Sequence, residues 1–222
     1  MAKVIKNENA EAVVEAVSKT EKFFNENGKL LAGICCGVIV ACAAVFCWVK
    51  FVHQPKVEEA QGQMAYAEQF FRAGDYQTAL NGDGNTLGFV QIIDEYGKKA
   101  GASVYFYAGV CELQNGNWEQ AIKYLKSYKG KDAILAARAQ ACIGDAYVGL
   151  ENYTKALSCY EAAAAVIDNM YAAGYLLKAG AVAEKLGDDD KALTFYKKIK
   201  EQYPQSMEGY DIDKYIGRIE AR

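Results

Sequence analysis

GDYQTAL (74–80), GNWEQAI (116–122), ENYTKAL (151–157) and GDDDKAL (187–193) are four versions of one short pattern. Their alanines, Ala79, Ala121, Ala156 and Ala192, are spaced by 42, 35 and 36 residues. A period near 34 residues is the mark of stacked helix–turn–helix units. The upstream half of the unit repeats too, since Gly109, Gly144 and Gly180 each stand twelve residues before an alanine. Small residues at these places let the two helices of a hairpin approach closely. Large residues after the alanine, such as Tyr160 and Tyr196, are expected to fill the gap between neighbouring hairpins. Tyr203-Pro204 ends the last unit, because proline cannot continue a helix. No hairpin buries its apolar face alone, so the units must stack.

The expected fold class is therefore all-α, with an α-solenoid of about four hairpins over residues 58–222. In the tail SMEGYDIDKYIGRIEAR, Ile212, Tyr215, Ile216 and Ile219 recur at helical spacing. That pattern fits the capping helix such an array requires. The first unit exceeds the period through an insert at 81–97, NGDGNTLGFVQIIDEYG. Its glycines suit a turn demanding positive φ, and FVQIIDEY restarts a helix that aims Phe89, Ile92, Ile93 and Tyr96 into the array. Read as a calcium loop, Asp83, Asn85, Gly88 and Asp94 fall near EF-hand spacing, but Leu87 and the short Asp94 stand where oxygen-rich ligands are needed. A phosphate loop lacks its Lys-Ser/Thr. A helical joint is the favoured reading.

The chain changes character near residue 53. All 16 tyrosines lie at or after Tyr66, and four of seven cysteines, Cys35, Cys36, Cys42 and Cys47, crowd one apolar run. Leu30 to Val49 is LLAGICCGVIVACAAVFCWV, twenty residues without charge. A helix of that length crosses a hydrocarbon layer of ~30 Å. The division is thus a leader at 1–29, a transmembrane helix at 30–52, a linker at 53–57 and the array. Gly33 and Gly37 form a small-xxx-small pair for helix packing within the membrane. A cleaved signal peptide and a lipoprotein site at Cys42 are the rival readings. Against them stand the 29 residues before the run and the apolar AAVFCWVKFV after Cys42. Lys19, Lys22 and Lys29 before the span, against Lys50 and Lys56 after it, favour an inward N-terminus and an outward array. In the leader, Val13, Val14, Val17 and Phe24 fall near one helical face, and Ser18 and Glu21 have capping-box spacing.

The formal net charge of -3 gives no bulk case for nucleic acid. His53, the only histidine, stands at the membrane edge, and no Cys-x-x-Cys occurs. Cys111, Cys142 and Cys159 each sit in apolar helical patterns as small hydrophobes. Asp188, Asp189 and Asp190 complement a helix start. With no nucleophile–base pair, the expectation is a non-enzyme with no catalytic residue, metal, cofactor or small-molecule substrate.

The repeated residues resemble the tetratricopeptide repeat over about residues 58–204, with Glu112 departing from an aromatic position. The resemblance implies a concave groove lined by the first helix of each hairpin. The groove register expected here is Phe106, Val110 and Leu113, then Ala141, Asp145 and Val148, then Leu177, Ala181 and Glu184. The Lys and Asn of the family's carboxylate clamps are missing at these places. A short leader, one span and an outward array resemble the YfgM-like ancillary subunits of the bacterial Sec translocon. The matching insert is Ala79-Leu80, Gly82-Asp83-Gly84, Gly88-Phe89, Ile92-Ile93 and Tyr96-Gly97. That resemblance implies an inner-membrane protein with a periplasmic array, partnered by translocon subunits, periplasmic chaperones or client chains. The alternatives are a scaffold for another envelope complex, in outer-membrane assembly or cell-wall synthesis, and an array facing the cytoplasm.

Overall fold

In the computed structural model, residues 8–166, 168 and 170–221 are described. The chain divides into two units between Pro55 and Lys56.

The first unit is dominated by α1 (Glu8–Trp48), followed by a π-turn at Val49–His53. Helix α1 runs without a break through the boundary expected at 29/30. Ser18 lies inside it, so the Ser18/Glu21 spacing caps nothing. The side chains of Val13, Val14 and Phe24 lie outside the described residues, and Val17 is exposed. The expected linker, 53–57, is also helical: His53 closes the π-turn and α2 (Gln54–Arg72) begins at once. Proline explains the local geometry. Pro55 has no N–H and its ring crowds the carbonyl four residues back, so the ladder widens there and the Gln54 N–H bonds the Val49 carbonyl. By length and composition, one helical stretch among the described residues, Asn25–Arg72, contains a segment apolar enough to cross a membrane.

The second unit is the array. Its hairpins pair α2 with α3 (Tyr76–Asn81), α5 (Ser103–Gln114) with α6 (Trp118–Ser127), α7 (Ala133–Gly149) with α8 (Tyr153–Val166), and α9 (Met170–Lys185) with α10 (Asp189–Gln202). The short helix α4 (Phe89–Tyr96) follows α3, and α11 (Met207–Glu220) caps the end.

The quoted heptapeptides are the turns that make these hairpins. At each, the first helix ends in a left-handed residue: Gly74 (φ 80°), Gly116 (φ 80°), Glu151 (φ 56°) and Gly187 (φ 79°). The next residue's N–H reaches back to the carbonyl five positions earlier, as in Asp75 to Phe70 at 3.0 Å and Asn152 to Tyr147 at 2.8 Å. Such closure satisfies the orphan carbonyls of the helix end. The same residue then opens the second helix. The Asp75 and Asp188 carboxylates accept from the backbone N–H groups of Thr78 (3.1 Å) and Lys191 (3.0 Å).

Hairpin closure rests on small residues. Ala79, Ala121, Ala156 and Ala192 are fully buried. A side chain at Gly109 would collide with Leu125, at Gly144 with the Tyr160 ring, and at Gly180 with the Tyr196 ring. Tyr160 and Tyr196 were expected to fill the space between hairpins. Each ring lies against the glycine of its own hairpin, sixteen positions back in the sequence, and also meets the next element: Lys178 of α9 stands over the Tyr160 ring at 5.7 Å and Tyr215 of α11 lies 5.4 Å from the Tyr196 ring. Trp118 also packs between units, lying against Gly149 at the end of α7.

The array has three successive cores. One joins α2, α3, α4 and α5 around Phe89 and Ile92, a second centres on Leu125 and Ile143, and a third on Tyr196, Ile199 and Ile212. The insert is a joint as expected: Phe89, Ile92 and Tyr96 are buried, and Ile93 is half-buried.

Candidate protein-binding groove

Because each turn reverses the chain, α5, α7 and α9 lie side by side as the first helices of consecutive hairpins. Between them runs a groove of about 510 Å³. Val110, Leu113 and Gln114 come from α5, Ile134, Arg138, Ala141, Cys142 and Asp145 from α7, and Tyr171, Tyr175 and Lys178 from α9. Its walls are chiefly apolar, and both Ile134 and Tyr171 are exposed.

The polar groups sit where the helices meet. Lys178 donates to both oxygens of Asp145, at 2.7 and 2.8 Å, and Tyr160 donates its hydroxyl to the same carboxylate at 2.7 Å. One carboxylate thus joins α7 to its own partner helix and to the following hairpin. Burial, with Asp145 alongside, holds the Tyr160 hydroxyl far above its ordinary titration range. Arg138 lies over the Phe106 ring at 6.0 Å and has no carboxylate partner within 4.0 Å among the described residues. Burial pushes the Cys142 thiol up to about 11. It is neutral at physiological pH and no poised nucleophile.

Of the residues expected here from sequence, Val110, Leu113, Ala141 and Asp145 line the groove. Phe106 is buried beneath Arg138, against Tyr107 and Tyr128. Val148 and Leu177 are half-buried against the C-terminal core instead. Glu184 faces away from the groove, accepting from the Tyr196 hydroxyl at 2.8 Å and from Arg218 of the capping helix. Ala181 is exposed. The register on α9 was taken one residue off, which rotates the face by about 100°. Arg138, Tyr171, Tyr175 and Lys178 were missed. Their signal was present: 171, 175 and 178 share one helical face, as do 134, 138, 141 and 145. Gly33 and Gly37 face open space on α1.

The cysteines divide. Cys111 and Cys159 are buried, Cys111 with its thiol pushed up to about 12, whereas Cys142 is half-buried in the groove. In the insert, the Asp83 carboxylate accepts from the backbone N–H groups of Asn85 (2.9 Å) and Thr86 (2.7 Å) and from the Thr86 hydroxyl (3.0 Å). These bonds hold its carboxyl below the usual range and turn one of its oxygens, Oδ1, to the loop itself. Among the described residues, no three His, Cys, Asp or Glu side chains are grouped to hold a metal ion.

Helical hairpins of this length, closed by small residues and stacked one on the next, form an α-solenoid. The tetratricopeptide-repeat family model matches residues 103–132 and 175–206, which fall on the second and fourth hairpins. Among solved structures, a crystal structure of MamA protein is similar at 20% identity, covering 74% of this chain and 84% of that one with a TM-score of 0.57. A second MamA crystal structure, also 20% identical, covers 70% of this chain and 92% of that one with a TM-score of 0.52. No curated protein matches the chain.

Proposed function

We propose that this protein is a membrane-anchored interaction module whose array holds a segment of another protein in the groove between α5, α7 and α9. The observation that carries this is the groove itself, whose exposed Ile134 and Tyr171 flank an Arg138 without a carboxylate partner among the described residues. Apolar anchors beside a few convergent polar groups are what a protein-binding cleft requires. The uncharged run from Leu30 to Val49 supports the anchor reading, and the lysine bias favours an outward array. The layout and the insert favour an ancillary subunit of the Sec translocon, with translocon subunits, periplasmic chaperones or client chains as partners. A scaffold for another envelope complex is the second reading, since nothing in the groove is specific to translocation.

Co-purification from detergent-solubilised membranes tests both, with Arg138→Glu as the control. Recovery of translocon subunits that the variant weakens supports the first reading. Recovery of outer-membrane or wall-synthesis proteins supports the second. Protease added to spheroplasts reports the orientation, since an array protected from it faces the cytoplasm.

A further inference from the structure

Charge is grouped locally at the two edges of the array, with acids crowding the turn at 188–190 and lysines crowding two of the connections between hairpins. At one edge lie the turns inside the hairpins, which hold Asp75, Glu151, Asp188, Asp189 and Asp190. At the other lie the connections between hairpins. There the turn at Gly97–Ala100 and the loop from Tyr128 to Asp132 present Lys98, Lys99, Lys129 and Lys131. The two connections are adjacent: Lys98, Gly101, Ala102 and Tyr105 share a shallow depression of about 440 Å³ with Ser127 and Lys129. None of the four lysines has a carboxylate within 4.0 Å among the described residues. Acids lie at this edge too, with Glu58 and Asp94 exposed among them. Asp132 caps α7 through the Leu135 N–H at 2.9 Å, and Glu59 and Glu95 lie beside the Tyr96 hydroxyl.

The chain enters the array at this same edge. Helix α2 begins the first hairpin, so its N-terminal end lies with the N-terminal ends of α5 and α7. From Val52, at the end of the apolar run, to Ala60, the first buried residue of α2, is eight residues. Even fully extended they span no more than ~29 Å. The start of α2 is therefore tethered near the surface of any bilayer that holds the run. Tethering makes individually weak contacts count.

We propose that the lysine-bearing edge of the array docks on anionic lipid headgroups of the membrane that holds the apolar run. This rests on the anchor reading given above. Compact ammonium groups on two projecting turns suit a plane of phosphates, which needs charge rather than a shaped cleft. The acidic turns place the opposite edge away from that plane. A nucleic acid or an acidic protein would need no tether, and neither accounts for the lysines lying where the chain enters.

The test places the full chain in nanodiscs of phosphatidylcholine with or without about one-third phosphatidylglycerol, a fraction set within the usual anionic range. Amide hydrogen exchange is then followed. Exchange at 97–101 and 128–132 should slow several-fold in the anionic discs alone. It should recover in 0.5 M salt or in a K98E/K99E/K129E/K131E variant, while 73–75, 150–152 and 186–188 stay unchanged. Equal exchange in both discs, in a chain that alkaline wash leaves embedded, overturns this proposal and spares the anchor. Slowing of the acidic turns instead also overturns it. A chain stripped from the discs by alkaline wash refutes the anchor, and this proposal with it. Protection that an added acidic peptide or RNA produces in neutral discs, and anionic lipid does not, assigns the edge to those partners and refutes it as well.

Discussion

Replacing Gly180 by alanine sets two effects of opposite sign against each other. In an open helix interior the change is favourable by roughly 0.5–1 kcal/mol, because glycine loses the most backbone freedom. In α9 the new methyl would meet a fixed ring. It would stand 2.7 Å from Tyr196 Cζ and 2.8 Å from Cδ1, with Cε1 closer still. Relaxed carbon contacts lie near ~3.5–4.0 Å. The ring cannot swing aside, since Tyr196 is fully buried and its hydroxyl is held by Glu184 at 2.8 Å. Overpacking of this kind costs about 1–3 kcal/mol. Overpacking should win, leaving the array about 1–2 kcal/mol less stable and its melting temperature lower by roughly 2–8 °C. The control is Gly217→Ala in α11, where a new methyl meets nothing within 4 Å. That variant should gain about 0.5–1 kcal/mol. Thermal and urea unfolding followed by far-UV circular dichroism measures both. Combining Gly180→Ala with Tyr196→Leu should cost less than the sum of the single changes, because the two share one space. A Gly180→Ala protein as stable as its parent, or strict additivity in the double variant, would refute the packing argument.

Three further outcomes are expected. Glu151 is the one described non-glycine residue with positive φ, so Glu151→Gly should raise stability by about 0.5–1 kcal/mol in the same assay. The Tyr160 and Tyr196 hydroxyls are raised from 10.0 and the Cys111 thiol from 9.0 to about 12, in each case chiefly by burial. A raised value in the folded state means stability that is complete below the unfolded value and lost as pH climbs. Melting temperature should therefore fall progressively above pH 9, and Tyr160→Phe should flatten the part beginning near pH 10. In the insert, Asp83→Asn keeps a side-chain oxygen for the Asn85 and Thr86 N–H groups and should leave melting unchanged with or without calcium. Gly84→Val, at φ 90°, should lower it. A calcium-dependent rise that Asp83→Asn abolishes would make the loop a metal site.

The hairpin array was legible because its determinants are local. A turn residue, a cap, and an alanine in fixed phase follow from backbone chemistry alone, and Gly109, Gly144 and Gly180 announce close approach. The insert was legible for the same reason. The groove face was harder to read. A first helix in the middle of a stack is buried by its own partner and by both neighbouring hairpins, so apolar residues surround it. On α9 the buried alanines Ala172, Ala173, Ala179 and Ala183 leave Leu177 and Tyr175 nearly equal candidates for the open side. Glu184 looked like a groove residue only because its two partners, Tyr196 and Arg218, lie 12 and 34 positions away. The division between the two units falls within 53–57, but the backbone there stays helical because a π-turn absorbs the proline.

The carboxylates of Asp145 and Glu184 also bear on how the array gives way. Each clasps a tyrosine of its own hairpin and a cation of the next element, Lys178 in one case and Arg218 in the other. At the other end, the first hairpin is held to its neighbour chiefly by ring contacts among Phe71, Phe89 and Tyr107, with one exposed hydrogen bond from Asn115 to Gln77 at 3.2 Å. Tension drawn through Lys56 therefore meets sliding apolar surfaces first and latched junctions last. The array should peel from its N-terminal end like a zip, shedding the first hairpin while the last two, with α11, remain closed. A pulled molecule would lengthen in steps, and re-closing would start from a seed at the C-terminus.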